Sequence, residues 1–360
     1  MKFLKRYRSH LGTLLGLVIV GITFGVVLPR IANYRDVWNV FTTIDAAAIA
    51  ALVVATLVNV ITFAPPWMVA LPGLRFGRAL AFTQASTAVT YVVPGGGLVG
   101  MAGSFALLRS WAFPTAAVAR AVTLTGIWNQ LANLLLPLAA VALLAAESEA
   151  DSGLVTIALI GGAIFIVAVV IICLVLWRAE FARAIGDVCA RVVNSALARI
   201  RRGPVKWGGG SFARFQVQTV GLLRRRWHVL TLTALLGTLT VFLVLLVSVR
   251  AVGIGSDSLT WIEIFAGWSI GRVMGLIPIT PGGLGVVELG VTTALVGFGG
   301  GNAEVVAAVL LYRFATIVPT LILGGITMLV WRRLHPDRLH PERANDERGG
   351  VESPLRNDPE

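Results

Sequence analysis

The chain has 360 residues, 56% of them hydrophobic and 13% charged, with a net charge of +12 and a mean hydropathy of +0.83. A soluble globular protein carries about 25% charged residues, so the composition excludes an ordinary soluble domain. Apolar runs of helix-spanning length recur, which also excludes a β-barrel with its short alternating strands. The positive charge is read as loop topology rather than nucleic-acid binding, because Lys and Arg collect in cytoplasmic loops.

The expected fold class is an all-α polytopic membrane protein with about six full spans and two broken or re-entrant hairpins. Lys2, Lys5, Arg6 and Arg8 precede a first apolar run, Leu11–Leu28, with no small-residue cleavage site after it. That pattern predicts a retained span with a cytoplasmic N-terminus. Ala46–Ala70 is a second span, distorted near its end by Pro65-Pro66. Ala79–Trp111 reads as two short apolar arms around Pro94-Gly95-Gly96-Gly97, each below the roughly 20 residues needed to cross. A hairpin that enters and leaves by the cytoplasmic face fits it.

Ala116–Ala146 is a long span interrupted by Pro137, with Asn129, Gln130 and Asn133 near its middle. Amides in a span commonly bond neighbouring helices; Asn129 and Gln130 are also candidates for contacting cargo. Glu147, Glu149 and Asp151 are placed outside, and Leu154–Trp177 returns inward. Arg178–His228 carries eleven Lys or Arg against Glu180 and Asp187, a strong cytoplasmic signal. Within it Phe181, Ile185, Val188, Val192 and Ala196 recur every three or four residues. That spacing suits either a connecting loop or a basic helix along the inner leaflet.

Val229–Val249 crosses outward, with Arg250 at its outer end as an exception to the charge bias. Ile262–Phe298 is the second irregular region, Ala303–Trp331 the last span, and 334–360 a disordered cytoplasmic tail. The domain boundaries are therefore 1–177 (hairpin 79–111), 178–228, 229–333 (hairpin 262–298) and 334–360. Trp261, Trp268 and Trp331 are expected to be interfacial anchors, and Arg109 and Arg120 to lie near the cytoplasmic interface.

The centre of the second irregular region is Pro278-Ile-Thr-Pro-Gly-Gly-Leu-Gly-Val-Val-Glu288. Two prolines and three glycines rule out a plain spanning helix. A broken helix in lipid needs protein or a water-filled cavity to satisfy its freed backbone groups, and transporters place cargo sites at such breaks. A shift of 187 residues sets Pro94-Gly-Gly on Pro281-Gly-Gly and gives 11 identities over the 33 positions Pro94–Gly126. Each unit is a span, a hairpin and a long span, and the two units run in opposite directions. The expected architecture is an inverted repeat.

Arg272, Glu288 and Arg313 are charges inside apolar sequence, each costing roughly 2.5–3.5 kcal/mol at the bilayer centre. Glu288 either pairs with Arg313 or Arg272 to hold the hairpin, or balances charge or takes a proton while the arginines receive a phosphate. The candidate binding set is Arg272, Pro281, Gly282, Gly283, Glu288, Tyr312, Arg313, Asn129 and Gln130. No metal or cofactor is expected: two cysteines and four histidines show no ligand spacing.

Pro278-x-x-Pro-Gly-Gly-x-Gly-x-x-Glu288 and the later Ala-x-x-Leu-x-Tyr-Arg313 pattern resemble the lysylphosphatidylglycerol synthase transmembrane-region family. That family is the flippase-like domain of bacterial multiple peptide resistance factors, and it also occurs as stand-alone proteins. The resemblance covers roughly residues 10–333, and implies a cytoplasmic-membrane protein that translocates an anionic phospholipid or a polyprenyl-phosphate-linked sugar. The longest polar segment, Arg178–His228, is too short for the soluble aminoacyltransferase domain of the full-length factors. Alternatives are a membrane-embedded lipid-modifying or glycosyl transferase, or a partner subunit of a lipid-synthesising enzyme. An enzyme of that kind commonly uses an Asp-x-Asp metal pair, which this sequence lacks.

Overall fold

A computed structural model describes residues 33–93, 96–147, 152–199, 209–276 and 280–334. The expected first span Leu11–Leu28, Pro94, Gly95, Pro278 and the tail beyond Leu334 lie outside the described residues.

The described residues are helical throughout, with α1 (Tyr34–Thr42), α2 (Ala46–Thr62), α3 (Pro65–Ala70), α4 (Phe76–Val92), α5 (Gly96–Ser110) and α6 (Thr115–Glu147) in the first half. α7 (Ser152–Trp177), α8 (Ala179–Arg199), α9 (Gly209–Ala251), α10 (Trp261–Met274), α11 (Val286–Gly297) and α12 (Asn302–Leu334) follow. Among the described residues four stretches are long and apolar enough to cross a membrane: Ala46–Ala70, Thr115–Glu147, Thr219–Ala251 and Asn302–Trp331. Both helices of the first stretch start as their sequences dictate. Asp45 caps α2 by accepting from the Ala48 N–H, and Pro65 opens α3 where its missing N–H costs nothing.

Each irregular region folds into a pair of short helices. At 1.5 Å per residue α4 and α5 run about 26 and 22 Å, and α10 and α11 about 21 and 18 Å. All four fall short of a hydrocarbon core about 30 Å thick. Within each pair the arms pack on each other, α4 on α5 and α10 on α11. Across the halves α4 packs on α12, α10 packs on α6, and α2 packs on α9. Contact between α4 and α12 is close because Gly324 has no side chain: a Cβ there would stand 2.5 Å from the Ala88 Cβ.

Three expectations change. Pro137 does not interrupt its span, since α6 runs unbroken through it; a transmembrane helix tolerates proline where neighbours satisfy the freed carbonyl. The polar segment 178–228 is not a loop in its second part: α9 begins at Gly209 and continues into the span. α8 is a helix packed on α9, and Phe181, Val188 and Val192 on it are exposed. Trp268 is no interfacial anchor; it is 1% exposed and stacked on Phe265 at 5.7 Å. Trp261 is exposed, while the Trp331 Nε1 donates to Ser110 Oγ.

Arg250, out of place by the charge rule, folds back on its own chain. Its guanidinium donates to the carbonyls of Ile254 and Gly255 at 2.8 Å and of Leu259 at 2.9 Å, closing the turn between α9 and α10. The three acids within apolar sequence share one explanation. Glu263, Glu288 and Glu304 all lie in the first turn of a helix, where unpaired N–H groups and the helix dipole favour a carboxylate.

Candidate functional site

The second break is built from residues that only its turn permits. Pro281–Gly283 forms one turn of 3₁₀ helix, with Gly282 at φ +59°, and Gly285 at φ +84° leads into α11. Positive φ is strained for a residue with a Cβ. Gly282 is doubly constrained, because a Cβ would fall 2.1 Å from the Cδ1 of Tyr91, near the end of α4. The loop of one hairpin thus rests on an arm of the other.

A buried ion pair clamps this loop. Arg313 Nε on α12 donates to Glu288 Oε1 at 2.7 Å, and Glu288 Oε2 accepts the Gly285 N–H at 2.7 Å. The Nη2 of Arg313 donates to the Gly282 carbonyl at 3.1 Å. Glu288 is 1% and Arg313 8% exposed. Both carboxylate oxygens are engaged inside the protein, so the pair ties three elements together: the loop, the start of α11 and the middle of α12. A buried charge is tolerated only when paired and hydrogen-bonded, and this one is.

Arg272 differs. It sits in the last turn of α10, half-buried, with its guanidinium 5.6 Å from the centre of the Trp268 ring. Its Nη2 donates to Asn133 Oδ1 on α6, and Asn133 Nδ2 donates to Gln130 Oε1 at 3.0 Å. Glu288 forms its salt bridge with Arg313, and Arg272 has no carboxylate partner among the described residues. Tyr91 and buried Tyr312 lie within electrostatic reach of both arginines. The result is an uncompensated planar cation, braced on one side by an indole and on the other by a neutral amide. Guanidinium of this kind matches the two oxygens of a phosphate.

Of the nine candidate residues, the structure gathers Arg272, Gly282, Glu288 and Arg313, with Tyr312 beside them. Gln130 joins through Asn133. Pro281 and Gly283 shape the turn, and Asn129 stands apart, exposed, lining a cavity between α9 and the helices of the first half. Among the described residues no three His, Cys, Asp or Glu side chains gather as a metal site would require. Arg109 is exposed and donates to the Phe113 carbonyl, whereas Arg120 is only partly exposed, its Nε buried without a partner.

The sequence match to the family described as Lysylphosphatidylglycerol synthase TM region runs over residues 14–324 and takes in both hairpins. The chain belongs to that family. No curated protein matches it. In this member of the lysylphosphatidylglycerol synthase TM-region family, Tyr91 and Asn133 are the site residues that reasoning from sequence passed over. Tyr91 could have been found three residues before Pro94, in the hairpin that repeats the Pro-Gly-Gly motif. Asn133 was visible as an amide in a span, but its partner across 139 residues was not.

Proposed function

We propose that the chain is a lipid translocator that moves an anionic phospholipid or a polyprenyl-phosphate-linked sugar between leaflets, with Arg272 receiving the phosphate. The observation that carries this reading is the guanidinium of Arg272: partly accessible, oriented by Trp268 and Asn133, and without a carboxylate partner among the described residues. An unpaired charge within a membrane is expensive, and its usual justification is a ligand. The reading divides the labour between the two arginines. Arg313 holds the loop with Glu288, and Arg272 faces the head group.

The same reading takes the two halves as inverted repeats that rock or part around this site. Reciprocal packing supports it, since the first arm of each hairpin lies against the long helix that follows the other hairpin. Family membership supports a lipid-related role in the membrane. No bond is made or broken in this proposal; the acyl or prenyl tails stay in the bilayer while the head group crosses.

Liposomes holding the purified chain and a labelled phosphate lipid provide the test. Wild type exchanges the label between leaflets, and Arg272→Gln slows exchange about ten-fold or more, as loss of a charge-assisted pair to phosphate implies. Conversion of the labelled lipid into a new product would replace transport with catalysis.

A further inference from the structure

Between α9 and the helices of the first half lies a second polar feature, separate from the arginines. A cavity of about 260 Å³ lies among α2, α3, α4, α5, α6 and α9. Its wall carries the hydroxyls of Thr62, Thr83, Ser86, Thr87, Ser104, Thr125 and Thr238. All but Thr87 bond a backbone carbonyl, and Thr62 Oγ1 also lies 2.8 Å from Thr240 Oγ1. Thr62 bonds Asn59, Thr83 bonds Leu80, Ser86 and Ser104 both bond Gly100, Thr125 bonds Ala121, and Thr238 bonds Ala234, at 2.8–3.0 Å.

A hydroxyl that has donated its proton can only accept. The wall therefore presents mostly lone pairs, with the Asn129 amide and the Thr87 hydroxyl among its donors, and what fits it is a group that donates several protons and accepts a few. A phosphate or carboxylate, itself all acceptor, would find few donors and no cation there. No Asp, Glu, Lys, Arg or His lines the cavity, so an ammonium group would lie there without a counter-charge, at high cost in a low-dielectric site. An uncharged sugar or polyol meets both conditions. Two indoles add apolar faces for the C–H side of such a group. Trp128 commits its Nε1 to Thr231 Oγ1, and Trp67 is held edge-on to Phe82. The volume falls just under the ~300–1,000 Å³ of pockets for drug-sized ligands, which suits one monosaccharide-sized group.

Position links this cavity to Arg272. Asn129 lines the cavity, and Asn133, the partner of Arg272, follows one turn later on the same face of α6, about 6 Å along the axis. We propose that the cavity is the subsite for an uncharged, hydroxyl-rich head group attached to the phosphate at Arg272. The phosphate half rests on the translocator reading; the cavity half does not.

Binding to the full chain in nanodiscs separates the two, with four lipids of matched tails: glucosyl-diacylglycerol, plain diacylglycerol, phosphatidic acid and phosphatidylethanolamine. The glucosyl lipid is expected to be preferred over plain diacylglycerol, and Thr125→Val with Thr238→Val to weaken it about ten-fold through two lost acceptors. Arg272→Gln leaves that binding intact and weakens phosphatidic acid instead. Asn129→Leu, at an exposed position, narrows the cavity without touching buried packing and gives the same loss should the double variant fold poorly. Glucosyl-lipid binding unchanged in these variants would overturn the subsite. So would a preference for phosphatidylethanolamine that the same variants abolish, since that would assign the cavity to an ammonium group. If the cavity variants behave as expected while Arg272→Gln leaves phosphatidic acid binding unchanged, the translocator's phosphate site fails and the subsite stands.

Discussion

Arg313→Ala removes one partner of a 2.7 Å ion pair whose other member, Glu288, is 1% exposed. The carboxylate keeps one hydrogen bond, from the Gly285 N–H, and is left as an unpaired charge in protein interior. Breaking a buried pair from one side costs about 3–5 kcal/mol. Glu288→Gln costs less, about 2–3 kcal/mol, because the amide still accepts from one donor while Arg313 retains the Gly282 carbonyl. Removing both charges in Glu288→Gln with Arg313→Ala leaves no ion stranded. The double variant is therefore expected to be milder than the sum of the singles by about 2–3 kcal/mol. Denaturant unfolding in micelles, followed through the ten tryptophans, measures all three. An Arg313→Ala cost below about 1 kcal/mol, or strict additivity in the double variant, would refute the view of this pair as the clamp of the Pro-Gly-Gly loop.

Other perturbations probe the parts around it. Gly282→Ala is expected to destabilise by more than the ~1–2 kcal/mol of a left-handed residue with a Cβ, since the added carbon meets Tyr91. Tyr91→Ala restores only part of it, because the Tyr91 Cα would still be 3.1 Å away, as thermal melts of the pair will report. Asn133→Leu frees Arg272 from its brace, slowing lipid exchange several-fold while the unfolding midpoint moves little. Arg250→Ala removes donors to three carbonyls and costs about 1.5–3 kcal/mol, with limited proteolysis expected to cut first between residues 252 and 260.

Much of this organisation was legible because the bilayer enforces it. Spans, hairpin arms and the break at Pro65-Pro66 follow from apolar length and from what proline and glycine forbid. The Glu288–Arg313 pairing was one of two options readable from chemistry, since a carboxylate just past a glycine turn seeks N–H groups and a cation. What sequence could not give was distance across the fold. Trp268 looks like an interfacial tryptophan until α10 is seen to pack into the bundle, where the indole becomes the floor beneath Arg272. Asn133 and Tyr91 acquire meaning only from α6 lying on α10, and from α4 bringing Tyr91 against the Gly282 loop. The hydroxyls of the cavity beside α9 were invisible for another reason. All but Thr87 are ordinary helix Ser or Thr bonded to their own or a neighbouring backbone, and only their convergence on one space makes a wall dominated by acceptors.

The central claim is that Arg272, held between Trp268 and Asn133, is the group that receives a lipid phosphate during transfer between leaflets. Its most direct measurement is leaflet exchange of a labelled phosphate lipid in liposomes, comparing wild type with Arg272→Gln and Arg272→Lys at equal, verified folding. Exchange that falls about ten-fold or more in the glutamine variant and recovers only in part with lysine is the predicted result. A wild type that exchanges lipid no faster than protein-free liposomes, or a glutamine variant as fast as wild type, would contradict it.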